Sequence, residues 1–297
     1  MSTSDNKLAT IRVGVVGAGP WAQQFHCPMF ARHSGTTLAG VWARNHDASD
    51  RLAASLKSKS FDDYDEFLDS CDAVAFAVPP DVQVELGIRA ARAHKVLLLE
   101  KPLALDMLSA IRLVEAVDQA GVTTQMNLTW RYSSTFRTFI REVQLMRPIG
   151  GRGEYVIGSG LGGPFATPWR LNYGCLFDLG PHLIDALGSA LGQIVTVRAH
   201  GNSRRWMGLF LEHEPGTVSE LSLSIFSNIH TARANVEIFD ESGLCEVNMA
   251  GSPSPETLTT LVDEFIETAN GSVHPIDVHH GLYLQQALNE AAAELAR

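Results

Sequence analysis

Ile11-Arg12-Val13-Gly14-Val15-Val16-Gly17-Ala18-Gly19-Pro20-Trp21-Ala22 is the stretch that decides the fold. Its first six residues are mostly apolar and β-branched, the pattern of a buried strand. Gly17-Ala18-Gly19 marks a tight turn, and residues 20–33 read as a helix. Pro20 suits a first helical turn, because the N–H it lacks has no intrahelical partner there. The spacing matches G-x-G-x-x-G/A, with Ala22 at the small third position. In such a turn the first glycine allows the chain to reverse and the second lets backbone approach a pyrophosphate. The small third residue keeps helix and strand close. The helix start adds unpaired N–H groups and a partial positive charge.

Working outward, a strand is expected over 36–42 and a helix over 47–57. Continuous apolar runs at 73–78 and 96–99 read as strands covered on both faces. Helical stretches at 82–94 and 106–120 separate and follow them. This alternation needs crossover connections, which build a doubly wound parallel sheet. After about residue 125 the pattern changes. A helix is expected over 133–146, with Phe136, Phe139, Ile140 and Val143 at helical spacing. A Gly-rich segment, 150–174, precedes a helix over about 181–191. Strand-like runs follow at 194–197, 207–211, 218–225, 234–239 and 244–247. Glu214-Pro215-Gly216 and Glu241-Ser242-Gly243 separate some of them, which argues for an open, mainly antiparallel sheet. Helices at 256–269 and 279–296 close the chain. The expected organisation is an α/β domain over 1–124 and an α+β domain over 125–297, the latter for substrate binding and oligomerisation.

The 297 residues give room for two domains. A hydrophobic share of 45% with 19% charged residues excludes a disordered or coiled-coil protein. A formal charge of −10 disfavours nucleic acid as a partner. No apolar run approaches the roughly 18 residues of a membrane span. The opening Met1-Ser2-Thr3-Ser4-Asp5-Asn6-Lys7 is polar and lacks a signal core. Cys27, Cys71, Cys175 and Cys245 lie far apart, which fits a reducing cytoplasm. His26, His33, His46 and His94 are scattered, and the adjacent His279 and His280 diverge on a helix, so no metal set is expected.

The second strand bears on the choice of dinucleotide. Sites that prefer NAD usually end this strand in a carboxylate that holds the ribose 2′-OH. Here it ends Ala43-Arg44-Asn45, with no acid before Asp47. Arg44 offers a planar fork to a 2′-phosphate. A hydrogen bond to a charged group contributes about 1.5–3 kcal/mol, roughly 10- to 150-fold in preference. NADP(H) is therefore expected ahead of NAD(H). The candidate contacts at this end are Gly17, Gly19, Pro20, Trp21, Arg44 and Asn45.

Two further motifs narrow the reading. Leu97-Leu98-Leu99-Glu100-Lys101-Pro102 ends a strand in Glu-Lys-Pro, and Asp178-Leu179-Gly180-Pro181-His182 gives D-x-x-x-H just before a helix. Together with the glycine turn, Arg131-Tyr132 and Trp169-Arg170, they resemble the glucose–fructose oxidoreductase / inositol dehydrogenase family of NAD(P)-dependent sugar and polyol dehydrogenases. The resemblance runs from about residue 10 to the C-terminus. It implies a Rossmann domain followed by an open-sheet domain, with the cofactor in the cleft between them and Lys101, Asp178 and His182 facing the nicotinamide. It adds Val78, Pro79, Gln83, Glu100 and Lys101 as cofactor contacts. The family often has an Asn after its first proline and a His three positions later; Pro80 and Gln83 stand there in this chain.

Residue chemistry points the same way. Oxidising an alcohol requires a base for the hydroxyl proton, and histidine titrates nearest neutrality. Asp178 lies four residues before His182 and shares its face if the helix starts early enough, where it orients the imidazole. Lys101 brings a charge that binds the substrate oxygen and stabilises a developing alkoxide. Pro102 holds Lys101 extended, and a cis Lys101-Pro102 peptide is one possible form. Asn127, Arg131, Trp169 and Arg170 are candidates for lining the substrate cleft. The expected partner is a small polyol or carbonyl compound, and an open sheet face favours a homo-dimer or homo-tetramer. Two alternatives stay open: a dihydrodiol dehydrogenase-like carbonyl reductase, and a non-catalytic NADP-sensing regulator. Lys101, Asp178 and His182 together favour an enzyme.

Overall fold

The computed structural model describes residues 10–214 and 216–296; the polar opening and Pro215 of the expected 214–216 turn lie outside them. The chain forms two compact units interleaved in sequence. One takes the chain up to Glu100, Arg112–Asn127 and Leu258–Val278. The other takes Lys101–Ile111, Leu128–Thr257 and the chain from His279.

The first unit is built on β1 (Ile11–Val16), β2 (Thr36–Trp42), β3 (Ser60–Phe61), β4 (Ala73–Phe76), β5 (Val96–Leu99) and β6 (Thr124–Met126). All pair in parallel, in the order β3-β2-β1-β4-β5-β6. This is the doubly wound order, and its switch point lies between β1 and β4, where ligands of such sheets sit beyond the strand ends. Val13, Val15, Val16 and Leu97–Leu99 are fully buried, as continuous apolar strands of a two-faced sheet must be. The alternating helices are α1 (Cys27–Arg32), α2 (His46–Ser55), α3 (Tyr64–Asp69), α4 (Pro80–Arg92) and α5 (Met107–Ala120). β3 and α3 are too short to show a period in the sequence. α3 starts because the Asp63 carboxylate accepts the N–H groups of Asp65 and Glu66.

The second unit carries a mixed, mostly antiparallel sheet. Its strands are β7 (Gly150–Val156), β8 (Ile194–Gly201), β9 (Met207–His213), β10 (Val218–Ser224), β11 (Arg233–Asp240) and β12 (Gly243–Asn248), in the order β12-β11-β7-β10-β9-β8. β7 and β10 pair in parallel. β7 lies inside the Gly-rich segment that showed no element in the sequence. A Cβ on Gly153 would come within 3.0 Å of Leu183, and one on Gly151 within 3.0 Å of Leu191. The glycines that lower strand propensity are therefore what lets a helix press against this strand.

That helix is α7 (Pro168–Leu191), which follows α6 (Ser134–Val143). It starts well before the expected 181–191, with a non-helical residue at Gly174 (φ 70°, ψ −160°) and Pro181 in its interior. Asp178 and His182 consequently lie on one buried helix rather than ahead of it.

α8 (Pro255–Ala269) and α9 (Val278–Leu295) complete the chain. Residues 258–278 belong with the first sheet. The Met126 N–H donates to the Ile276 carbonyl at 2.8 Å, and the Thr123 hydroxyl to the Thr268 carbonyl at 2.7 Å. The Phe30 and Phe265 rings meet at 5.8 Å. A single cut at 124/125 therefore falls inside β6 and misses this return, because the edge of a parallel sheet needs cover from a segment distant in sequence. Among the described residues no helix is long and apolar enough to cross a membrane.

Candidate active site

Gly17 ends β1 with φ of 118°, and its N–H donates to the Trp42 carbonyl at 2.8 Å. A Cβ there would collide with the Ala77 carbonyl, so only glycine fits. A Cβ on Gly19 would meet nothing within 4 Å. The turn thus leaves open space at a helix start, as a pyrophosphate requires, and the residues fit a dinucleotide. Pro20 and Trp21 are helical, and a π-helical turn, Ala22–His26, leads into α1. Val78 adjoins Gly17, and Pro79 caps α4. Beyond β2, Arg44 is exposed, while the Asn45 side chain accepts the Ala48 N–H and caps α2. Asn45 is thereby spent on the helix.

The π-turn has a consequence that no sequence period announced. It carries His26, fully buried, to 2.8 Å from Glu100 Oε1. Asn127 Nδ2 donates to the same oxygen at 2.5 Å. Asn127, a candidate for the substrate cleft, is thus buried against Glu100 and His26 of the first unit.

In the second unit Lys101, Asp178 and His182 come together. Lys101 follows β5 and precedes a cis Lys101-Pro102 peptide. Its ammonium donates to the Asp178 carbonyl at 2.7 Å and to Asp178 Oδ1 at 3.1 Å. Arg170 Nε donates to that same Oδ1 at 3.0 Å, and its guanidinium lies 4.8 Å from the Trp169 ring centre. Burial opposes ionisation of Asp178, but the charges and hydrogen bonds of Lys101 and Arg170 outweigh it and hold the carboxyl below its usual range. His182 shows the opposite balance. Burial, reinforced by the Lys101 charge and only partly offset by Asp178, holds its pKa well below the ordinary histidine value.

The expected role of Asp178 therefore changes. Its Oδ1 is committed to two cations, while His182 Nδ1 is buried with no hydrogen-bond partner among the described residues. The imidazole is fixed by aromatic packing instead, stacked on Trp130 at 5.3 Å and 6.1 Å from Tyr155. The sequence reading missed Trp130 and Tyr155. Trp130 was next to a quoted motif, but nothing local pairs it with a ring 52 positions away. Of the four cleft candidates, Arg170 bonds Asp178 and lies over the Trp169 ring. Arg131 is tied elsewhere, to Ser189 at 2.6 Å and Asp185 at 3.4 Å, and Asp185 is also bound by His280 at 2.6 Å.

A pH effect follows from buried histidines. His213, fully buried on β9, is also held below the ordinary value, by burial, although its contact with the Gly192 carbonyl works the other way. A histidine with a depressed folded pKa adds stability that is complete above the unfolded value, about 6.5. That stability is lost as pH falls toward the folded pKa, because the unfolded state then binds more protons. Urea midpoints are expected to drop between pH 7.5 and 5.5 (about these settings, bracketing the unfolded value). His213→Gln is expected to flatten that slope; an equal slope in the variant assigns the effect elsewhere.

Comparison with known proteins bears on the fold. Residues 11–128 match the oxidoreductase family with an NAD-binding Rossmann fold. Over 183 residues the chain is 27% identical to glucose-6-phosphate 3-dehydrogenase of Bacillus subtilis, covering 59% of this chain and about half (52%) of that protein. Over 264 residues it is 25% identical to dTDP-3,4-didehydro-2,6-dideoxy-alpha-D-glucose 3-reductase of Saccharopolyspora spinosa, covering 83% of this chain and 77% of that one. GenD2 from gentamicin A biosynthesis, solved in complex with NAD, shares the fold with a TM-score of 0.85 at 18% identity, over 100% of this chain and 97% of that one. The glycine turn and the parallel sheet beneath it lie within the matched residues, so this part of the chain has the NAD-binding Rossmann fold of that oxidoreductase family.

Proposed function

We propose that this chain is a cytoplasmic NAD(P)-dependent oxidoreductase that moves a hydride to or from a secondary alcohol or ketone of a sugar, sugar derivative or cyclitol, with NADP(H) preferred over NAD(H). The reading rests above all on Lys101 and His182 meeting around Asp178. Its similarity to a glucose-6-phosphate 3-dehydrogenase and a dTDP-sugar 3-reductase supports a sugar substrate. Gly17, Gly19, Pro20 and Trp21 would hold the pyrophosphate, Arg44 the 2′-phosphate, and Val78 and Pro79 the nicotinamide end, whereas Gln83 and Glu100 are buried and bonded to one another. The bound cofactor supplies the hydride donor or acceptor.

The remaining chemistry falls to side chains. A neutral His182 imidazole takes the hydroxyl proton in oxidation and returns it in reduction. The Lys101 ammonium holds the substrate oxygen and stabilises the negative charge it gains. Arg170 keeps Asp178 paired when Lys101 turns to substrate, because both cations share one carboxylate oxygen. Exposed Val195, Phe210, Val218 and Leu244 on the second sheet support a homo-dimer or homo-tetramer. The four cysteines, all unpaired, support a reducing location.

The test is turnover. Sugars, sugar phosphates, nucleotide-linked sugars and cyclitols are offered with each cofactor while the absorbance of reduced nicotinamide is followed. The expected kcat/KM favours NADP(H) by about 10-fold or more, and Arg44→Asp is expected to reverse that order. Cofactor binding with no turnover across the panel overturns the enzyme in favour of a nucleotide sensor. A clear NADH preference in the unaltered protein overturns the role of Arg44.

A further inference from the structure

Gln83 and His26 take no part in the proton chemistry above, yet both are fully buried and both are spent on Glu100. Gln83 bonds the Glu100 backbone in both directions: its Oε1 accepts the Glu100 N–H at 2.7 Å, and its Nε2 donates to the Glu100 carbonyl at 2.9 Å. That carbonyl belongs to the peptide bond whose nitrogen is that of Lys101. His26 Nε2 and Asn127 Nδ2 converge on Glu100 Oε1 at 2.8 and 2.5 Å. The Asn127 N–H also donates to the Leu99 carbonyl at 2.7 Å, one residue upstream. Amide, carbonyl and carboxyl of Glu100 are thus all held by buried groups.

Two features argue for more than packing. β5 ends at Leu99, so Glu100 has left the strand, and the Gln83 side chain serves its backbone in place of a neighbouring strand. The arrangement is also costly. His26 Nδ1 and Asn127 Oδ1 are buried without a hydrogen-bond partner among the described residues. An apolar core of the same shape would avoid that penalty.

We infer that Gln83, His26 and Asn127 form a cradle that fixes the Glu100–Lys101 peptide, and that Gln83 is a positioning residue for the Lys101 ammonium. The inference rests on the role of Lys101 given under the proposed function. A misplacement of about 1 Å in a reacting constellation costs on the order of 10²-fold. A single lost tether should therefore lower turnover without abolishing it.

The experiment is a double-mutant cycle on the full chain, with Gln83→Met, Lys101→Met and both together. Gln83→Met keeps the side chain's length and removes both bonds to Glu100. The single change is expected to lower kcat by roughly 10- to 100-fold and to leave the substrate KM within about threefold. In the Lys101→Met background it should cost kcat nothing further, because the group it positions is gone. Losses that simply multiply would assign Gln83 a general structural role and overturn the inference. A full kcat in Gln83→Met overturns the cradle while leaving Lys101 in place. A full kcat in Lys101→Met instead removes Lys101 from the reaction and takes the functional reading with it. Thermal midpoints and cofactor fluorescence titration establish that each variant is folded. His26→Gln, run through the same cycle, carries the test if Gln83→Met does not fold.

Discussion

His182→Ala is expected to lower kcat by about 10²- to 10⁴-fold, the usual loss when a positioned acid–base group is removed. At about 1.36 kcal/mol per tenfold, this is about 2.7–5.4 kcal/mol of barrier. The environment of the residue explains why the effect should fall on turnover. Burial and the Lys101 charge keep the imidazole neutral at neutral pH, so it is ready to accept a proton. Packing on Trp130 and Tyr155 keeps it in one place. Truncation also leaves a gap beside Trp130, so His182→Gln is the companion variant that preserves more of the volume. Both should lose kcat alike, while Gln loses less stability. The acid limb of kcat/KM in the unaltered protein should lie below the ordinary histidine value of about 6.5 and disappear in the variants. A rate unchanged at saturating substrate would exclude His182 from the chemistry.

Lys101→Met should cost kcat about 10²- to 10³-fold, the scale of losing one preorganised donor to a developing oxyanion. The structure indicates that this variant will fold. Asp178 is buried, and stranding a buried charge costs about 3–5 kcal/mol. Arg170 Nε stays 3.0 Å from Asp178 Oδ1, however, so the carboxylate keeps a cation when Lys101 is lost. A second readout separates an electrostatic role from a structural one. The Lys101 charge is one cause of the depressed His182 pKa, and its removal favours the protonated imidazole. The His182 titration, followed by NMR, should therefore move upward in Lys101→Met. An unshifted titration would mean that the ammonium does not act on His182, and an unchanged kcat would dismiss it from the site.

Much of the first unit was legible in the sequence because its signals are local. Short apolar runs, turn glycines and helical periods recur every few residues, and each reports its own element. Gly17 illustrates this: the residue type, the preceding strand and the following helix all lie within one window. The Glu-Lys-Pro and D-x-x-x-H motifs, through the family they resemble, offered Lys101, Asp178 and His182 as candidates. Elsewhere local rules failed for identifiable reasons. The glycines of β7 concealed a strand because close approach of Leu183 and Leu191 overrides propensity. The interior Pro181 obscured the long α7, and a helix with a kink at Gly174 has no single period to detect.

The amino-acid order by itself determined the parallel sheet and its glycine turn, since each depends on neighbours within a turn or a strand, and it offered Lys101, Asp178 and His182 as candidate groups. Tertiary structure alone decided how those groups are partnered. Lys101 reaches Asp178 across 77 positions, Trp130 stacks on His182, and His26 joins Glu100 across 74. The physical reason is that burial and charge act through space. Two cations claim one carboxylate oxygen and a neutral imidazole is left to its aromatic neighbours, a balance set only once distant segments share the same low-dielectric interior.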